Sequence, residues 1–301
     1  MPRTATSIRL RWIALSAALS ACTEVPATGE IEQGIVGGEM AASADFPTVV
    51  GLEEAGDWFC TGTLIHEDWI LTAAHCVEGM LATDVQVRLD ANNLNFKLAG
   101  KRIAVAAIYS NPGYNGASWD NDIALIRLAE TVTDREPTPI NRVVMSPSTA
   151  MIQVGYGAAS DTGGGGVLRK LSTTTIDCSA TGDPSISATN VVCFDQSDGN
   201  GTCYGDSGGP SFIDVGGRLE VAALTSGGTV ESCMDGFDIQ TAVAGELEFI
   251  DRALSGELTP DGEQAVDPSE SAEGGCSSGG ANGGLLLVGL AALVARRRRS
   301  R

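Results

Sequence analysis

Gly205-Asp206-Ser207-Gly208-Gly209-Pro210 is the segment on which the reading of this chain turns. A serine hydroxyl is a poor nucleophile unless a base lies within hydrogen-bond reach and a third group holds that base in one tautomer. Two upstream segments supply those parts: Leu71-Thr72-Ala73-Ala74-His75-Cys76 and Asn121-Asp122-Ile123-Ala124-Leu125. Ser207 is therefore the candidate nucleophile, His75 the candidate general base and Asp122 the candidate residue orienting it. The glycines around Ser207 let the backbone approach closely, so the N–H groups of Gly205 and Ser207 can form an oxyanion hole.

Around these segments the chain is a series of short apolar runs broken by Gly, Pro, Asn and Asp. The runs are Thr48–Leu52, Trp69–Thr72, Val85–Leu89, Ile103–Ile108, Ile123–Leu128, Met151–Val154, Val191–Phe194 and Leu219–Leu224. Several are rich in Val, Ile and Thr, which is the pattern of an all-β sandwich or barrel. Only Val243–Ala253 has helical spacing, with Leu247, Ile250 and Leu254 recurring at three and four residues. The run Gly163–Gly166 predicts a mobile loop.

With Ile35-Val36-Gly37-Gly38 added, four segments stand in the order seen in trypsin/chymotrypsin-family serine proteases, and the chain resembles that family from residue 35 to about 254. The resemblance implies an all-β fold of two six-stranded antiparallel β-barrels, the active site between them and a C-terminal helix. It implies a serine endopeptidase acting on protein or peptide substrates, with no cofactor. Three family bridges would pair Cys60 with Cys76, Cys178 with Cys193 and Cys203 with Cys233, each adding roughly 3 kcal/mol by closing its loop. Cleavage before Ile35 would free an amine that pairs with Asp206, so the precursor would be a zymogen. The departure is at the cut: Gln33-Gly34 precede Ile35 where trypsin-activated members carry Arg or Lys, so the activating protease should not be trypsin-like.

The specificity pocket departs further. The residue six before the nucleophile, which floors the pocket in the family, is Gly201, and the usual Ser-Trp-Gly wall reads Ser226-Gly227-Gly228. Asp238 falls where the opposite wall usually has Gly. A Gly floor with an acidic wall resembles broad-specificity, collagen-cleaving crustacean members of the family; a gap in the alignment would instead leave Asp238 on the surface. The alternative in another functional class is a catalytically silent, surface-anchored binding protein on the same fold.

Charge and termini set the context. The chain of 301 residues carries a formal charge of -19, and the acids are confined to residues 22–275. Such a field repels nucleic acid and anionic lipid. With two His and no Cys pair at C-x-x-C spacing, a metal site is not expected. Arg3, Arg9 and Arg11 precede an apolar stretch from Trp12 to Ala21, which matches a signal peptide over 1–21 and an exported, disulfide-permissive setting. Leu19-Ser20-Ala21-Cys22 resembles a bacterial lipoprotein signal, with Cys22 acylated; simple signal cleavage is the alternative. Residues 22–34 read as a pro-segment, and 255–275, acidic and rich in Pro, Ser and Gly, as a disordered linker. In 276–301, Cys276, a short apolar run and Arg296–Arg299 resemble the sorting tails of myxobacterial surface proteins. That resemblance implies sorting machinery as a partner and a cell-surface, outer-membrane or extracellular location.

Overall fold

Thirteen short strands and one helix carry the fold in the computed structural model, which describes residues 35–186 and 190–262. The chain divides after Asp261 into two compact units, and the architecture below belongs to the first. The segments expected as signal peptide and pro-segment, Cys22, most of the expected linker and the expected tail with Cys276 lie outside the described residues.

Six strands close a barrel in the order β2 (Val49–Glu54), β3 (Asp57–His66), β4 (Trp69–Thr72), β7 (Ala124–Leu128), β6 (Lys101–Ser110) and β5 (Val85–Leu89). Its core is built of Val50, Leu52, Leu64, Ile70, Val87, Ile103, Ile108 and Ile126, all buried. In β6 buried and more exposed positions alternate over Ile103 to Ala106, as a half-buried strand requires. A buried ion network lies on the face of β5 opposite the core residues Val87 and Leu89. Glu53 receives Arg88 and, at 2.6 Å, Arg102 Nε, while Arg88 also donates to the carbonyl oxygens of Leu94 and Phe96.

The second sheet runs β1 (Glu39–Met40), β9 (Arg169–Thr174), β8 (Ala150–Gly155), β11 (Pro210–Asp214), β12 (Leu219–Gly228), β13 (Phe237–Ala242) and β10 (Val191–Asp195). It is barrel-like but has seven strands where six were expected. The extra one is β1, in which Glu39 and Met40 pair with Lys170 and Arg169 just after the Ile35 segment. The connection between the sheets is pinned to both: Thr138 N–H donates to Leu64 O, and Asn141 N–H to Val221 O.

The expected C-terminal helix is α1 (Leu247–Leu254), preceded by a single 3₁₀ turn at Val243–Gly245. Phe249, Ile250 and Ala253 are its buried face. Residues 255–261, expected to open a disordered linker, are instead tied to the domain. Leu258 packs on the core, Asp261 N–H donates to Ile108 O, and Asp261 Oδ2 accepts from Ser110 N–H at 2.9 Å. The composition of 255–261 hid this because backbone pairing needs no apolar side chain. The four-glycine run is likewise tied down. Gly166 N–H donates to Tyr156 O, and its carbonyl accepts from Leu94 N–H, both at 2.7 Å. No helix among the described residues is long and apolar enough to cross a membrane.

Candidate active site

His75 sits in a 3₁₀ turn, Ala74–Cys76, that begins two residues after β4 ends. The Cys60–Cys76 disulfide fastens that turn to β3. Asp122 precedes β7 and follows Asn121, whose φ of 61° swings the chain into the site. Both residues come from the closed barrel. Ser207 comes from the other sheet, in the turn before β11, and its carbonyl accepts from Thr61 N–H of β3 at 2.9 Å. The candidate residues therefore meet where the two sheets touch.

Asp122 is held on every side. Its Oδ2 accepts from His75 Nδ1 at 2.7 Å and from Ser226 Oγ at 2.5 Å, its Oδ1 accepts from the His75 N–H at 2.9 Å, and its carbonyl accepts from Thr241 Oγ1. Burial opposes the charged carboxylate, but the hydrogen bonds and charge of His75 and the bond from Ser226 outweigh it, and the pKa lies below the usual aspartate value. An ionised Asp122 accepting from Nδ1–H leaves Nε2 as the basic nitrogen of His75. Ser226, expected only as pocket wall, thus also orients the acid.

The peptides around Ser207 are aimed by their carbonyl partners. Tyr204 O accepts from Ala158 N–H at 2.7 Å, and Asp206 O from Gly209 N–H at 2.7 Å. Because a trans peptide sets N–H opposite to C=O, each bond fixes the direction of the next N–H, that of Gly205 and of Ser207. Gly205 has φ 98° and Gly208 φ 75°, values that side-chain-bearing residues rarely adopt.

Beneath Ser207 lies Asp206, fully buried. Its two oxygens accept from Gly157 N–H at 2.7 Å and Cys203 N–H at 2.9 Å. Burial pushes its pKa up to about 7 despite those two donors; Asp238 raises it further and Arg169 lowers it. Ile35 is also buried, and Val36 bridges to Gly201, so the Ile35–Gly38 segment is already docked against the loop that precedes Ser207.

A cavity of about 180 Å³ opens beside Ser207, lined among others by Gln196, Thr202, Tyr204, Ser226, Gly228, Val230 and Glu231. Ser226 and Gly228 line it as expected; Gly201 and Asp238 do not. A Cβ on Gly201 would fall on the side chain of Gln196, whose Nε2 donates to Thr202 O at 3.0 Å, so Gln196 fills the vacated floor. Asp238 is fully buried behind that lining, where Oδ2 accepts from Gln153 Nε2 at 2.7 Å and Gln240 Nε2 at 2.8 Å. Its Oδ1 makes no well-formed hydrogen bond among the described residues. Burial raises the Asp238 pKa to about 6, against the favourable Thr202, Gln240 and Gln153 side chains. The alternative surface position for Asp238 is therefore ruled out, and contact with a substrate side chain requires Gln196 or Thr202 to yield.

Sequence reasoning missed three supports. Asp161, from the loop that carries the glycine run, accepts from Cys233 N–H at 2.7 Å and Ser232 Oγ at 2.9 Å and so frames the cavity mouth. Gln196 lies in no motif. Trp58, two residues before Cys60, packs against Gly205. The three bridges Cys60–Cys76, Cys178–Cys193 and Cys203–Cys233 form as the resemblance implied.

A hydrogen-bonded His–Asp pair on one sheet facing a glycine-flanked Ser on another defines a class of protein, the chymotrypsin-like serine hydrolases. The sequence profile of the trypsin family matches residues 35–250, and this chain belongs to that family. Brachyurin of Leptuca pugilator is 34% identical over 229 residues, covering 72% of this chain and 96% of that protein. Trypsin of Sus scrofa is 29% identical over 230 residues (73% and 96%), and trypsin I-P38 of Gallus gallus 29% over 220 (70% and 86%). The chain is a serine endopeptidase and a hydrolase of peptide bonds.

Proposed function

We propose that this chain is an exported endopeptidase made as a zymogen, in which Ser207, His75 and Asp122 act as one catalytic unit. Ser207 Oγ attacks the scissile carbonyl carbon while His75 Nε2 takes its proton. The developing oxyanion is met by the N–H groups of Gly205 and Ser207. His75 returns the proton to the leaving amine, the C–N bond breaks and an acyl-enzyme remains. Water then repeats the sequence, again with His75 as base, and Ser207 is regenerated. The observation that carries this reading is the His75–Asp122 pair, bonded through Nδ1 at 2.7 Å and buttressed by Ser226.

Activation by cleavage before Ile35 is supported by the buried Asp206, a carboxyl that burial raises to about 7 although Arg169 lowers it. A new ammonium at Ile35 would supply a cation to pair with it. For specificity, an uncharged Gln196 floor and the open Gly228 edge admit large apolar side chains such as Leu and Phe. A Lys or Arg side chain displacing the Gln196 amide would meet Asp238, a buried acid whose charged form burial makes costly and a cation would favour. The charged ends at residues 1–21 and 276–301 support export and anchoring at the cell surface.

A fluorophosphonate probe tests the chemistry. The full chain cut at Gly34–Ile35 should become labelled on Ser207, and the uncut chain only weakly. A cut, folded chain that takes no label would be a silent binding protein on the same fold.

A further inference from the structure

We infer that Trp58 is a positioning residue for the oxyanion hole, holding the Gly205 peptide in place from the barrel side. This rests on the catalytic reading of Ser207 and Gly205 given above. Gly205 has φ 98°, and a Cβ built on it would lie 2.5 Å from Trp58 Cζ3 and 3.2 Å from Gly157 Cα. The indole is therefore pressed against the peptide whose N–H faces the substrate carbonyl. The other edge of the same ring occupies the Cβ space of Gly165, in the glycine run.

The ring is itself anchored. Trp58 Nε1 donates to Asn95 Oδ1 at 3.0 Å, and Asn95 Nδ2 donates to Gly165 O at 2.8 Å. Asn95 N–H is held in turn by Asn93 Oδ1 at 2.9 Å. Three residues further along β3, Thr61 Oγ1 donates to Gly205 O at 2.8 Å. One strand thus grips Gly205 twice, by a hydrogen bond to its carbonyl and by an indole edge in the space where a Cβ would stand. The need for such a wedge follows from glycine itself. A residue without Cβ has a wide choice of backbone states, and an oxyanion donor works only if its direction is settled before the reaction.

Loss of one oxyanion donor costs roughly 10²–10³ in turnover, and a loosened donor costs part of that. In the full chain after its activating cut, Trp58→Ala should lower kcat about 10- to 100-fold per titrated active site, with KM changed less than about threefold. A tetrapeptide aldehyde with Phe at its reactive end places a hemiacetal oxygen in the hole. Its affinity should weaken in proportion to kcat, while the matching peptide alcohol should bind Trp58→Ala and wild type alike. Trp58→Phe keeps a ring against Gly205 and should stay within about threefold of wild type; Asn95→Ala frees the indole and should fall between the two. Should Trp58→Ala not fold, Asn95→Ala carries the test with the same aldehyde and alcohol pair. Unchanged kcat in the variants, or equal weakening of aldehyde and alcohol, overturns the inference. A wild-type chain that neither turns over peptides nor takes the fluorophosphonate sinks the catalytic reading instead.

Discussion

Replacing Asp206 by Asn separates the precursor from the mature enzyme through a single buried carboxyl. In the uncut chain the residue at position 35 contributes an amide, and the Asp206 pKa is raised by burial from 3.8 to about 7. The unfolded chain gives up this proton near its ordinary value, and the folded chain holds it until pH 7. Below about pH 4 both states are protonated and the group is neutral in its effect. As pH rises from 4 to 7 the unfolded state is favoured, and stability falls. The span of about 3 pH units, at ~1.4 kcal/mol per unit, sets an upper bound of roughly 4 kcal/mol. Asn keeps the size of the side chain and removes the ionisation. The precursor with Asp206→Asn should therefore lose this part of the pH slope, and at pH 8 this gain offsets the bond lost where the Asn NH2 faces the Gly157 or Cys203 N–H. After the cut the sign reverses, because Ile35 brings an ammonium that pairs with the ionised acid. The mature variant should then be less stable than mature wild type and lose most of its activity. Urea denaturation of both chains at pH 4.5 and 8, before and after the cut, reads this directly. If Asp206→Asn destabilises precursor and mature chain equally at pH 8, Asp206 has the same partner in both and the activation argument fails.

Ala at Ser207 or at His75 should each cost several orders of magnitude in kcat, and the double variant little more, since groups acting as a unit are not additive; steady-state kinetics on the purified chain check this. Replacing Asp238 by Gly should abolish cleavage after Lys and Arg and spare cleavage after Leu and Phe, measured by cleavage-site profiling; retained activity after Arg would place the basic preference elsewhere. In wild type the share of cleavage after Arg should grow with pH around 6, where Asp238 ionises, and the share after Phe should not follow it. Asp161→Ala should raise KM severalfold while kcat holds, because Ser232 and Cys233 at the cavity mouth lose their tether; a fall in kcat alone would contradict that role.

The parts legible in the sequence were those in which local pattern and tertiary role coincide. Every apolar run singled out overlaps a strand, though Thr48 and Ile123 fall just before theirs, because a half-buried strand must show its face in its own residues. Leu247–Leu254 was legible as a helix for the same reason, but the helical reading from Val243 overran it, because Val243–Gly245 form a separate 3₁₀ turn. Glu39–Met40 was invisible as a strand: two residues pairing through backbone atoms leave no periodic trace.

Within the site, glycines announced empty space without naming what fills it. Gly201 could be read as an uncharged floor, but only the fold brings Gln196 into that space. Cβ atoms on Gly155 and Gly157 would each fall on the carboxyl of Asp206, so the flanks of Tyr156 are bare because a buried acid lies against them. Gly165 and Gly205 are separated by 40 residues, yet both yield to one indole. In each case the filler lies outside the motif that holds the glycine, at a distance no spacing rule reaches. The catalytic residues have the reverse property: their chemistry demands fixed residue types, so they are found first and their supports last. Gln196, Asp161 and Trp58 contribute only because the fold brings their side chains against residues elsewhere in the chain. Their types make the contact, but their position makes it possible, and position is what the fold alone supplies.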